Sequence, residues 1–179
     1  GRISKYKGLN LLLDAMETVW AAFPDEKLVI AGGGADAALL AHPVLNRNDR
    51  NIIFLNRFIP TAELPGIIKE AKYVICPYTD ATQSGVLSTS FALNKPVLAT
   101  NVGAFSEQIR DEFNGKLVKE PSPDLIAAAI ISATPFLGAH IDHGLRRRAH
   151  EHRAARARAH FGDVGICELD LLAAGTGGN

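Results

Sequence analysis

No run of apolar residues in this chain reaches the ~18 that a membrane-spanning helix needs. Cysteine is scarce. Cys76 and Cys167 are the two present, too far apart in sequence for a paired metal-ligand motif. So few thiols point to a reducing, cytoplasmic setting rather than a disulfide scaffold. There is no internal repeat, and Gly1-Arg2-Ile3-Ser4 is neither an initiator methionine nor a signal peptide. We therefore expect a fragment whose beginning is missing. Net charge is also lacking, since 19 basic residues balance 19 acidic ones. That balance hides an asymmetry. Residues 143–160 carry six arginines against one glutamate, and five of the six histidines lie between 140 and 160.

What is present is a 179-residue chain, 47% hydrophobic and 21% charged, which suits one globular α/β domain with a tail and argues against disorder. Leu9, Leu12, Leu13, Met16 and Trp20 recur at helical spacing, predicting a helix over 9–22 that stops at Pro24. Short apolar runs at 27–31, 51–55, 73–76, 96–100 and 115–118 read as buried strands. Between them, 35–41, a segment from Thr61, 84–94 and 105–110 read as helices, and Ser122-Pro123 opens another. This alternation predicts a Rossmann-like parallel sheet with helices on both faces. Gly1-Arg2 reads as the end of a strand whose body is absent, so the sheet should lack its first strand. Residues 1–138 form the expected domain. Residues 139–174 are expected to be a helical tail, with a basic helix and a short apolar one through Ile166, Leu169, Leu171 and Leu172. Residues 175–179 should fray.

Ligands of such sheets bind in loops beyond the strand C-termini. Arg2 and Lys7 precede a helix N-terminus, and Gly8 permits close approach; that set suits a diphosphate. Gln83-Ser84-Gly85-Val86 opens a helix after a strand, where free amides and a hydroxyl can hold a phosphate oxygen. A serine N-cap with a turn glycine is the plain alternative. Ser84 is not in a G-x-S-x-G elbow, so it is not read as a nucleophile. Gly32, Gly33 and Gly34 match a loose dinucleotide fingerprint, but Asn56-Arg57, not an acid, ends the next strand. Approach of a nucleotide or of a neighbouring loop explains these glycines better. Around Gly103, Glu107 is assigned a structural role. The histidines of the tail are not spaced for a metal, and the arginines there read as a solvated face, with attraction for nucleic acid or anionic lipid as the alternative.

In order and spacing these segments form a set. Gly1-Arg2-Ile3, Lys7-Gly8-Leu9 and Leu12-Leu13-Asp14-Ala15 come first. Leu28-Val29-Ile30-Ala31-Gly32, Gln83-Ser84-Gly85-Val86, Lys95-Pro96-Val97 through Glu107, and Asn114-Gly115-Lys116-Leu117-Val118 follow. The set resembles the C-terminal, nucleotide-sugar-binding domain of glycosyltransferase family 4, the group 1 family with the GT-B fold. The resemblance implies one half of a two-domain hexosyltransferase, retaining and metal-independent, that uses a nucleotide-sugar donor, UDP- or GDP-linked, and no cofactor. By resemblance Arg2, Lys7, Ser84, Gly85 and Val86 would hold the donor diphosphate. Gly32, Gly33, Gly34, Arg57, Gln83 and Thr89 would border base, ribose or sugar. Catalytic residues are not assigned. Many family members carry two glutamates eight residues apart; here those positions fall near Ala81 and on Thr89. The acceptor-binding N-terminal domain is absent, so the fragment alone should be inactive. Its uncovered apolar surface favours self-association. Nucleic acid is not an expected partner, and peripheral contact with the inner face of a membrane is an expectation from the basic tail. The alternatives are a sugar-nucleotide epimerase or phosphorylase of the same architecture, or a non-catalytic binding module.

Overall fold

A computed structural model describes residues 2–47, 51–80, 84–134 and 164–167. In chain order the elements are α1 (Leu9–Ala22), β1 (Lys27–Ala31), α2 (Ala37–Leu40), α3 (Pro43–Asn46), β2 (Ile52–Leu55), α4 (Leu64–Glu70), β3 (Tyr73–Cys76), α5 (Gly85–Ala92), β4 (Val97–Thr100), α6 (Phe105–Gln108) and β5 (Gly115–Val118). Helix α7 covers 123–134, and strand β6 is Val164–Cys167. The strands form one sheet in the order β2-β1-β6-β3-β4-β5, every pairing parallel.

Two cores explain why successive positions of these strands are apolar. Alternate side chains point to opposite faces of a sheet. Leu28, Ile30, Tyr73, Ile75 and Leu98 join one cluster with Leu9, Leu12, Leu13, Met16 and Val19 of α1 and Ile126 and Ile130 of α7. Val29, Ala31, Val74, Cys76, Val97 and Ala99 join the other, with Leu64 and Ile68 of α4, Val86 and Leu87 of α5, and Phe105 of α6. Helices therefore cover both faces. Leu12 is fully buried; its truncation to alanine would cost roughly 2–5 kcal/mol.

Local chemistry sets the helix ends. The Asp36 carboxylate accepts the Leu39 N–H at 2.9 Å and so starts α2 later than the composition of 35–41 suggests. Helix α4 begins at Leu64 rather than Thr61. Pro65 has no N–H to give, and only a helix that starts this late keeps it within the first turn, where none is needed.

Strand β6 departs from expectation. Residues 164–167 are extended rather than part of the final short helix, and they lie between β1 and β3. The rest of the expected helical tail, its basic segment and the fraying end lie outside the described residues, as does Gln83. Among the described residues no helix is long and apolar enough to cross a membrane.

Candidate functional site

The site residues gather along the C-terminal edge of the sheet, starting with the short turn before α1. Lys5–Lys7 form a 3-10 turn that ends on Gly8 at φ +66°. A Cβ at Gly8 would stand 1.9 Å from the Pro77 carbonyl oxygen, so only glycine lets α1 start against the end of β3. From the other side, the Thr79 N–H donates to Tyr6 O at 2.6 Å, and the Thr79 hydroxyl donates to the same oxygen at 3.2 Å. The Tyr6 ring meets Tyr78 edge-on at 5.7 Å, and Tyr78 lies 5.3 Å from Phe105. Thr100 donates its hydroxyl to the Tyr78 carbonyl. The turn at 5–8, the loop after β3 and the start of α6 are thus one connected unit.

Arg2 and Lys7 come together directly. The Lys7 side chain is buried, and its ammonium donates to the Arg2 carbonyl at 2.6 Å. Ile3 N–H donates to Gly33 O at 2.7 Å, and Arg2 forms a parallel bridge with Gly33. The exposed Arg2 side chain runs over Gly34, whose Cβ position lies 3.6 Å from Arg2 Cγ. A cleft of about 410 Å³ opens beside these residues, lined among others by Ser4, Lys5, Gly8, Asn10, Gly34 and Thr79.

Ser84 begins α5, beyond the loop that holds Tyr6. Its side chain makes no capping bond. The hydroxyl is buried and has no hydrogen-bond partner among the described residues, although the residue is only 6% exposed. A buried polar atom left unpaired costs roughly 1–3 kcal/mol. Val86 points into the core, so only its backbone amide can face a ligand. Gly85 and Val86 lie in the first turn, where amides have no acceptor within the helix.

Two residues expected near the ribose and base are otherwise engaged. Arg57 makes a two-pronged pair with Glu63, Nη1 to Oε2 at 2.9 Å and Nη2 to Oε1, and also reaches Phe58 O at 3.2 Å. The mutual hydrogen bonds hold the guanidinium up and the carboxylate down from their ordinary values. Thr89 turns its hydroxyl onto its own helix, donating to Gly85 O at 2.9 Å. Gly33 makes room for a neighbouring loop: a Cβ there would meet the Arg57 carbonyl carbon at 3.1 Å and Phe58 N at 3.2 Å. The Glu107 side chain is exposed at the first turn of α6. Sequence reading missed the burial of Lys7, which only the bridge of Arg2 to Gly33 explains. Among the described residues no cluster of three or more His, Cys, Asp or Glu is placed to hold a metal ion.

A parallel sheet covered on both faces, with its loops and cations gathered at one edge, defines one Rossmann-like half of a GT-B architecture. The chain belongs to the family described as glycosyl transferases group 1, whose pattern matches residues 1–134. It is 34% identical over 125 residues to a phosphatidyl-myo-inositol mannosyltransferase of Mycobacterium tuberculosis, covering 69% of this chain and 32% of that protein. It is 28% identical over 136 residues to a D-inositol 3-phosphate glycosyltransferase of Segniliparus rotundus, covering 74% of this chain and 30% of that protein. The chain thus spans about a third of the length of these relatives. Its fold is similar to the C-terminal domain of a group 1 family glycosyl transferase from Francisella tularensis, with a TM-score of 0.65 and 24% identity over 87% of this chain and 84% of that one. It is also similar to Anabaena HepE, solved with UDP-glucose, with a TM-score of 0.59 and 20% identity over 82% of this chain and 38% of that one.

Proposed function

We propose that the intact protein transfers a glycosyl group from a nucleotide-sugar donor, UDP- or GDP-linked, to an acceptor held by a second domain. The part described here would hold the donor by its pyrophosphate. In the transfer, the bond from the anomeric carbon to the phosphate oxygen breaks and the nucleoside diphosphate leaves. The acceptor oxygen takes its place at that carbon and gives up its proton. Negative charge grows on the leaving phosphate, and Arg2 and Lys7 would stabilise it there as preorganised cations. The amides of Gly85 and Val86 and the Ser84 hydroxyl would add donors. With this charge met by side chains and amides, the reading is metal-independent, and it takes the outcome as retention of configuration.

One observation supports this reading above the others. The turn that holds Lys7 is pinned by Thr79 to the loop leading to Ser84, whose buried hydroxyl has no hydrogen-bond partner among the described residues. A phosphate oxygen is the partner such a hydroxyl would take. The likeness to a mannosyltransferase named for a phosphatidyl-myo-inositol acceptor, and the arginine-rich segment 143–160, favour an acceptor at a membrane surface.

Calorimetric titration of the chain with UDP, GDP, ADP and NADP tests the reading. UDP or GDP should bind, and Arg2→Ala should weaken binding about tenfold, the worth of one charge-assisted hydrogen bond. That substitution should change stability by less than about 0.5 kcal/mol, because Arg2 is exposed. A response to NADP alone would reject the reading.

A further inference from the structure

We propose that Asn114-Gly115 is a self-modification site. The Gly115 backbone nitrogen attacks the Asn114 carboxamide and converts residue 114 to aspartate and isoaspartate, at a rate set by local opening of the turn at 110–115. The inference goes beyond the donor-binding reading and does not depend on it.

Asn114 is the one asparagine of the chain that is followed by glycine. A glycine leaves its amide nitrogen unshielded by any side chain. The fold itself demands the pair. A Cβ at Gly115 would stand 2.0 Å from the Val97 carbonyl oxygen, so glycine lets β5 start against β4. The Asn114 carboxamide closes the turn before it. Its Oδ1 accepts the Arg110 N–H at 2.7 Å, and its Nδ2 donates to Gln108 O at 3.0 Å.

The chemistry needs only water. The Gly115 nitrogen bonds to Asn114 Cγ, and the Cγ–Nδ2 bond breaks. Ammonia leaves with the proton from the Gly115 nitrogen, and a succinimide ring remains. Water opens the ring at either carbonyl. One opening gives aspartate. The other gives isoaspartate, with the main chain routed through Cβ and Cγ.

The closed turn opposes the first step. Both carboxamide bonds tie the side chain to residues before it in the chain. Asn114 O accepts the Val97 N–H at 3.1 Å, which fixes the peptide plane that carries the attacking nitrogen. These restraints sit on the last strand of the sheet, and the two carboxamide bonds are exposed, beside a Phe113 that is 75% exposed. Opening the turn therefore breaks a short set of edge hydrogen bonds, whereas unfolding exposes both cores. Neither product closes the turn again. An aspartate carboxylate has no donor for Gln108 O. Isoaspartate lengthens the main chain just before β5 and moves the carbonyl away from Val97 N–H.

Peptide mapping by mass spectrometry, on the full chain aged in mildly alkaline buffer, tests this. Ammonia loss should concentrate at Asn114, with isoaspartate among the products. It should run about tenfold or more slower than in the same chain unfolded in urea. Asp111→Ala removes the acceptor of the Leu117 N–H and the partner of Lys116, both at 3.0 Å, that brace the same turn. It should speed the reaction several-fold. Leu12→Ala weakens the core away from the turn and, under conditions where the variant stays folded, should not. Asn114→Gln, with its carboxamide one carbon further from the nitrogen, should be inert. In the aged chain the Val97 amide should exchange about tenfold faster, while the Val74 amide, which donates to Pro96 O, should not change. The proposal is overturned if the folded chain loses no ammonia at Asn114, or if folded and unfolded chains react equally fast. It is also overturned if Leu12→Ala acts as strongly as Asp111→Ala, which would assign the reaction to global unfolding, or if Val97 exchange is the same in aged and fresh chains.

Discussion

The two ends of the sheet follow opposite rules. At the N-terminal ends of the strands, buried polar groups meet partners from neighbouring elements. Glu26, just before β1, is 5% exposed and takes the Lys72 ammonium at 2.9 Å. Trp20 donates its indole N–H to Glu26 O at 2.8 Å, and Lys95 donates to Ala71 O at 2.6 Å. The Tyr73 phenol is pushed well above its ordinary value, by burial first and then by the nearby Glu26 charge. At the C-terminal ends, Gly8, Gly34 and Gly103 all have positive φ, Arg2 is exposed, and the buried Ser84 hydroxyl has no partner among the described residues. The Ser84 hydroxyl is a local cost that a bound anion would relieve, and it stands at the edge that carries Arg2 and Lys7.

The largest effect should come from Gly8→Ala. It combines a side chain at positive φ with a clash against the Pro77 carbonyl. Strain and overpacking together should cost roughly 4 kcal/mol, read by chemical denaturation, and nucleotide affinity should fall with stability because the turn at 5–8 detaches from the loop after β3. Lys72→Met sharpens the contrast. It leaves Glu26 charged and buried at the other edge, for roughly 3 kcal/mol of lost stability. Nucleotide affinity of the folded fraction should be unchanged. A parallel loss of affinity would show that the two edges are not separable.

Ser84→Ala should reverse the sign. Removing a buried hydroxyl that has no partner among the described residues should stabilise the free protein by up to about 1 kcal/mol while weakening nucleotide binding several-fold. Differential scanning calorimetry with and without UDP reads both. If the variant is destabilised instead, the hydroxyl has a structural partner and the contrast between the edges loses its strongest point.

Most of the sheet was legible because its signals are local. The run 27–31 is apolar, ends in three glycines, and forms β1 over those same residues. Leu9 to Trp20 keep helical spacing without interruption, and α1 follows it from Leu9 to Ala22. What escaped depends on distant partners. Four residues, Val164–Cys167, are too few to separate a period of two from one of 3.6, and their place is set by β1 and β3, some ninety and more residues away. The gathering of Arg2 and Lys7 was visible as two cations before a helix. The inward turn of Lys7 onto Arg2 O was not, because it follows from the bridge to Gly33. Arg57 was placed by resemblance in the vicinity of base, ribose or sugar; its pairing with Glu63, six positions on, is a spacing no regular element announces. Thr89 shows the same limit. Its spacing put it where a carboxylate stands in relatives, but a threonine on a helix readily bonds the carbonyl four residues back.

The smallest effect concerns acid, and it falls outside both edges' main devices. Burial pushes the Asp111 carboxyl up, but the Leu117 N–H at 3.0 Å and the Lys116 ammonium at 3.0 Å outweigh it, and the net direction is down. A carboxylate with a folded value below its unfolded one stabilises the fold above the unfolded value, near 3.9. That contribution is lost as the pH falls through the lowered folded value. Asp111→Asn should therefore leave a shallower acid limb, with less stability lost between about pH 5 and the acid transition. The side chain is half exposed, so solvent screening keeps the difference small, within about 0.5 kcal/mol. Denaturation midpoints at pH 7 and pH 3 for both chains read it. An unchanged slope would mean that the Leu117 hydrogen bond works equally well with the neutral acid, and that the bend between α6 and β5 is held by its backbone alone.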